Sequence, residues 1–220
     1  MSQNEQCTFS SQNKFGPPNL YQRLDIKMGW FFTKTYPPLQ VVPKCETDRF
    51  MGVWFVVGVK PTIFEKTNSN AVEIYTRSNS AKGHDIDIDF QFNVKEPITS
   101  TMKALPQKGW VTGENKELSS TWTVSPMFPI KLSYPIIELD EDNYDYVVVG
   151  SENRAYAWIM GRSPVMKDET YNMLKQRLVE RHQYDLEGFR DVPQVWTREE
   201  REKRDLDSII PDELLSDQKI

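Results

Sequence analysis

Few residues in this chain are of types that perform chemistry unaided. Two histidines, His84 and His182, stand far apart and lack companion ligands at metal-binding spacing. Both cysteines, Cys7 and Cys45, come early, so no thiol nucleophile is available to the regular part of the chain that follows. Asp85, Asp87 and Asp89 sit at every second position. Carboxylates that close to one another perform general acid–base work when a cleft encloses them. Here Ile86, Ile88, Phe90 and Phe92 occupy the alternate positions, so a strand would turn the acids to water. No Gly-rich phosphate loop and no Ser-centred nucleophile motif is present. Aromatic side chains, by contrast, are abundant: 6 Trp, 9 Tyr and 11 Phe, enough for a large core or a lined pocket. The chemistry this favours is non-covalent binding, with no catalytic residue, no metal and no cofactor expected.

The elements that must position those aromatics fit 220 residues, enough to bury a core without disulfides or metal. A net charge of −5 provides no surplus of cations to neutralise phosphates, which argues against a nucleic-acid partner. Mean hydropathy is −0.61, and no apolar run approaches the roughly 20 residues of a membrane helix. Residues 1–13 have neither a basic nor an apolar segment of the signal-peptide kind, and Ser2 stands where myristoylation needs glycine. The expected compartment is cytoplasmic, with membrane association and organelle targeting left open. Whether Cys7 and Cys45 pair, and the oligomeric state, are not legible.

Residues 1–46 read as an irregular, proline-punctuated arm whose Met28–Phe32 patch is apolar enough to need cover. Residues 47–195 form the body. Val53–Val59 is a β-prone run and His84–Asn93 alternates without error. Further strand-like segments are Ala71–Arg77, Thr99–Leu105, Gly109–Thr112, Leu118–Val124, Leu132–Leu139, Tyr144–Val149 and Ala155–Arg162, separated by turn residues. Eight or nine short strands in succession predict an all-β, up-and-down antiparallel barrel. Tyr171, Leu174, Leu178 and His182 then recur at helical spacing, with Asp168 as N-cap, predicting one helix docked on the barrel wall. Residues 196–220 form a charged, partly helical tail. Thr197 and Glu200 make a capping box, and the helix is polar almost all round, which predicts a solvated appendage.

Three segments taken together resemble the signature regions of the lipocalin family: Gly52-Val53-Trp54 opening the first strand, Asp142-Asn143-Tyr144-Asp145-Tyr146 before Val147, and Tyr156–Arg162 closing the last strand. Thr62–Lys66 is similar to the corresponding stretch of apolipoprotein D and the bacterial outer-membrane lipocalins. Ser125–Ile130 and Val192-Pro193-Gln194 resemble the plant temperature-induced lipocalins. The likeness spans Asp48 to Gln194. It departs from the family in the second segment, usually Thr-Asp-Tyr, and in having no cysteine after Cys45.

The resemblance implies an eight-stranded barrel shaped as a cup, with one C-terminal flanking helix and extensions at both ends. Gly52, Trp54 and Arg162 would close its floor, the guanidinium lying on the indole. Phe64 would sit over the mouth and Tyr75 would point inward. Phe90 and Phe92 point inward by alternation, and Trp110, Trp122 and Tyr134 are further candidates for the lining. The implied function is carriage of a fatty acid, lysophospholipid, sterol or isoprenoid, with protection of membranes under stress. Pro126, Met127, Phe128, Pro129 and Ile130 form an apolar loop that either touches a membrane or folds over the mouth. Two alternatives stand beside this reading: a lipocalin-fold enzyme acting on a lipid or xanthophyll, and an interaction module whose arm plugs its own cup.

Overall fold

A computed structural model describes residues 35–216 apart from Phe64 and Phe128. Cys7, the Met28–Phe32 patch and those two phenylalanines therefore lie outside the described residues, and with them the expectation of a self-plugged cup. Eight antiparallel strands close into a ring: β1 (Gly52–Lys60), β2 (Ser69–Arg77), β3 (Ile86–Asn93), β4 (Met102–Val111), β5 (Thr121–Met127), β6 (Ile130–Leu139), β7 (Tyr146–Val149) and β8 (Ala157–Gly161). Each pairs with the next, and β8 returns to β1. The end where β1 begins is the floor, and the end where it finishes is the rim. A two-residue β9 (Arg190–Asp191) pairs with β1 near the rim.

The alternation in β3 has the expected consequence. Ile86, Ile88 and Phe90 are buried in the barrel, and Phe92 packs against the same cluster. Asp87 and Asp89 face outward, Asp87 taking hydrogen bonds from His84 and Lys82. A period of two needs one dry face and one wet face, and the barrel supplies both.

Between β3 and β5 the chain departs from expectation. Thr99–Leu105 and Gly109–Thr112 are not two strands, because β4 runs unbroken through Pro106. A proline interrupts a strand only where its missing N–H would have been used. Here β4 pairs with β5 only from Lys108↔Ser125 to Val111↔Trp122. Continued toward the rim, that register would set Gln107 opposite Pro126 and Pro106 opposite Met127, so each strand brings a proline to the place where pairing ends. Met102–Gln107 of β4 and Pro126–Met127 of β5 therefore form an unpaired seam. The expected apolar loop is correspondingly short: Pro126 and Met127 end β5, Ile130 begins β6, and a register shift between Val124 and Met127 absorbs Pro126.

Helix α1 (Thr47–Phe50) is a single turn entering the floor. Helix α2 (Asp168–Glu180) lies outside the barrel, its Leu174 and Leu178 fully buried against Phe55, Val148 and Ile159. Lys167, not Asp168, occupies its N-cap, without a side-chain bond; Asp168 and Glu169 instead meet the positive end of the helix from its first turn. Gly58 faces this helix, where a Cβ would collide with the Tyr171 hydroxyl.

The charged tail is no appendage. Thr197 caps α3 (Arg198–Lys203) by accepting from the Glu200 N–H at 3.2 Å. Arg204, just beyond, is buried: it donates to the Asn70 carbonyl at 2.8 Å, to Glu200 at 2.9 Å and to the Asn93 side chain. Trp196 packs edge-on against Phe55 at 5.8 Å, and Leu206 and Ile210 complete that apolar layer. The expectation of a solvated helix fails because the buried Arg204 needs partners, and Asn70 of β2 and Asn93 of β3 supply them.

Candidate functional site

The floor is built from four side chains. The Phe50 ring lies 5.2, 5.0 and 4.6 Å from those of Trp54, Tyr75 and Trp122. Trp54 Nε1 donates to the Phe50 carbonyl at 2.8 Å. Arg162 lies 3.8 Å from the Trp54 ring centroid. Its Nη1 donates to the Val53 carbonyl at 2.8 Å, and its Nη2 to those of Arg49 and Phe50 at 2.7 and 3.2 Å. Burial lowers the guanidinium to about 10, which still leaves it a cation at neutral pH. Gly52 has φ +99°, and a Cβ there would stand 3.4 Å from Arg162 Nη1. The left-handed backbone and the close guanidinium both call for glycine.

Above the floor the interior opens. Leu105 pairs with inward Phe90, and Leu132 with inward Val124, so both leucines face the inside. They are nonetheless 38% and 40% exposed, which makes the upper barrel an apolar space open to solvent. Phe90 and Phe92, 4.9 Å apart, line one wall. Tyr134 and Trp158 contribute rings 6.3 Å apart to another. Trp122 stacks on Tyr134 at 6.2 Å and sends its Nε1 to the Ser119 carbonyl.

Trp110 does not belong to this lining. Pairing of Val111 with inward Trp122 puts Trp110 on the outer face, where its Nε1 donates to the Gly83 carbonyl and Lys131 lies over its ring at 3.9 Å. Trp110 was expected as a further candidate for the lining; in the continuous β4 the inward positions are odd-numbered. At the rim, Met127 and Ile130 are 62% and 51% exposed and Pro129 is exposed, while Pro126 is half-buried.

A buried acid of the interior is Glu73, which sequence reasoning passed over. It lies on β2 two positions before Tyr75 and pairs with Trp54 across the ladder. Both tyrosine hydroxyls donate to its Oε2, Tyr134 at 3.2 Å and Tyr75 closely, and the two hydroxyls lie 2.5 Å from each other. Burial raises the Glu73 carboxyl to about 7; the charge of Glu65 adds to the rise and the tyrosine hydrogen bonds oppose it. Burial likewise pushes both phenols well above the usual tyrosine range. Glu65, on the loop after β1, accepts from Trp158 Nε1 at 2.8 Å and from the Thr62 hydroxyl at 2.6 Å. The signal for Glu73 was present in the chain: Ala71, Glu73 and Tyr75 share one parity, and Tyr75 was already expected to face inward.

Among the described residues no group of three or more His, Cys, Asp or Glu could hold a metal ion. Cys45 is a free, buried thiol that burial pushes up to about 12, too high for a ready nucleophile. No helix among the described residues is long and apolar enough to cross a membrane.

Comparison with known proteins gives one consistent result. Residues 45–194 match the family model of the lipocalin-like domain. Temperature-induced lipocalin-1 of Arabidopsis thaliana is 27% identical over 161 residues, covering 71% of this chain and 83% of that protein. The outer membrane lipoprotein Blc of Vibrio cholerae is 26% identical over 136 residues, 60% of this chain and 75% of the relative. Among solved structures, insecticyanin of the tobacco hornworm Manduca sexta superposes with a TM-score of 0.54 at 15% identity. That superposition covers 75% of this chain and 88% of insecticyanin, and it shows a shared fold.

Proposed function

The chain belongs to the lipocalin-like family, whose members generally bind small hydrophobic ligands and are typically non-enzymatic, and from that premise we propose that it carries one such molecule, non-covalently, in the upper barrel. The observation that carries the reading is the pair of inward leucines, Leu105 and Leu132, left open to solvent above a sealed aromatic floor. Apolar area exposed inside a cup is stabilised by a guest that covers it, at roughly 0.8 kcal/mol per buried methylene. Phe90, Phe92 and Tyr134 would flank the guest, while Tyr75 and Trp122 would form the surface on which it rests.

The ligand classes that the family resemblance suggests are a fatty acid, lysophospholipid, sterol or isoprenoid, delivered to or withdrawn from a membrane. The exposed tip formed by Met127 and Ile130 supports such contact, with Lys131 beside it for headgroups. A role in protecting membranes under stress rests on the relatives' names, a temperature-induced lipocalin and an outer membrane lipoprotein.

Native mass spectrometry of protein purified without detergent, followed by organic extraction, tests the proposal. A stoichiometric amphiphile is the expected result. A bare chain whose tryptophan fluorescence also ignores alcohols, amines, fatty acids and lysolipids would overturn it.

A further inference from the structure

Resting on that carrier reading, we propose that the cup selects its cargo by headgroup. The geometry of Glu73, Tyr75 and Tyr134 fits an amphiphile whose buried end donates hydrogen bonds, a hydroxyl or a protonated amine, and discriminates against a free carboxylate.

The argument begins with the two oxygens of Glu73. Oε2 takes both tyrosine hydroxyls, whereas among the described residues no donor bonds Oε1. Oε1 is not one of the buried atoms left without a partner, so it opens onto the wet space of the cup, and a guest that covers it without donating strips its hydration at full cost. An entering hydroxyl supplies the missing bond, and an ammonium supplies the bond together with the opposite charge. A chain inserted tail-first would leave Oε1 dry and unpartnered, so the headgroup goes down.

The surrounding charges point the same way. Glu65 lies close enough to raise the Glu73 carboxyl, and its side-chain hydrogen bonds come from Trp158 and Thr62. Arg190 approaches that loop but spends Nη2 on the Glu65 and Asn68 carbonyls at 2.7 and 2.6 Å. Arg162 lies beneath Trp54, on the far side of the floor. Lys103 pairs with Phe92 near the rim and is exposed. Asp87 and Asp89 belong to the outer face. A carboxylate headgroup at the Glu73 end would thus meet a like charge, while Arg190 and Arg162 are committed to backbone carbonyls and Lys103, turned inward by its pairing with Phe92, stands at the rim. Two ionised carboxylates side by side in low dielectric are strongly disfavoured.

The discriminating probes are decanol, decylammonium and decanoate, of equal chain length and below self-association. They are titrated by tryptophan fluorescence into the full chain and into Glu73→Gln. At about pH 8.5 the expected order is ammonium, then alcohol, with decanoate at least about tenfold weaker than ammonium. Glu73→Gln should bring the three within about threefold of one another. In the unaltered chain, lowering the pH to about 5.5 protonates Glu73 and should weaken ammonium binding at least about fivefold while leaving decanol within about twofold. That titration decides the matter even if the variant fails to fold. Decanoate binding as tightly as decylammonium, or an order unchanged in Glu73→Gln, overturns the headgroup proposal and leaves the carrier reading standing. Binding of none of the three overturns both.

Discussion

The floor and the rim of this barrel are made from the same strands by opposite means. At the floor, Phe50, Trp54, Tyr75 and Trp122 interlock with no solvent access, and Arg162 ties three backbone carbonyls beneath them. At the rim, Leu105, Leu132, Met127 and Ile130 remain wet, and the β4–β5 ladder stops. The difference teaches where stability and function reside. Close-packed aromatics strongly resist truncation. Exposed apolar side chains add little to the fold and remain available to a guest.

Breaking the floor should therefore produce the largest effect. Phe50→Ala removes the ring that three aromatics touch and is expected to lower unfolding free energy by about 3–5 kcal/mol in urea denaturation. A loss below about 1 kcal/mol would mean the floor is not sealed by Phe50.

Next in size is the pH response of the layer between floor and rim. Glu73 has a folded-state value near 7 against 4.5 when unfolded, so the folded state binds the extra proton between those values. Its burial carries no penalty below about pH 4.5, a growing one through the window, and the full one above about 7. Glu73→Gln should accordingly gain stability relative to the parent chain by on the order of 2–3 kcal/mol between pH 4.5 and pH 8. Parallel urea curves at the two pH values check this, and a pH-independent difference would count against a buried, titrating carboxyl.

The smallest stability effect belongs to the rim. Leu132→Ser should shift unfolding by less than about 0.5 kcal/mol yet weaken binding of a ten-carbon amphiphile several-fold in fluorescence titration. Equal losses in both measurements would erase the distinction between the two ends.

Legibility followed the same division. Gly52, Trp54 and Arg162 could be named because their types and positions at strand ends make a recognisable set. The lining of β3 was readable from alternation alone, since both faces of that strand differ so sharply. Trp110 was misplaced because the four residues Gly109–Thr112, taken as a strand of their own, are too few to settle parity, whereas the continuous β4 settles it. Glu73 was overlooked because an acid between apolar neighbours is ordinarily assigned to water; the hydroxyls of Tyr75 and of Tyr134, the latter from β6 and 61 positions away, make its burial tolerable. The docked tail was illegible for a related reason. Arg204 is paid in hydrogen bonds by Asn70 and Asn93, and no local pattern reveals partners that distant.

The seam between β4 and β5 has a further consequence. An interrupted ladder normally leaves a row of free N–H and C=O groups, which invites a strand from a second copy of the chain to add on. Here Pro106 stands where the ladder stops and removes a donor from the β4 side, and the exposed Lys103 and Lys108 add charge along β4. A barrel open at its mouth thus presents a blunted edge there, an arrangement that disfavours edge-to-edge association.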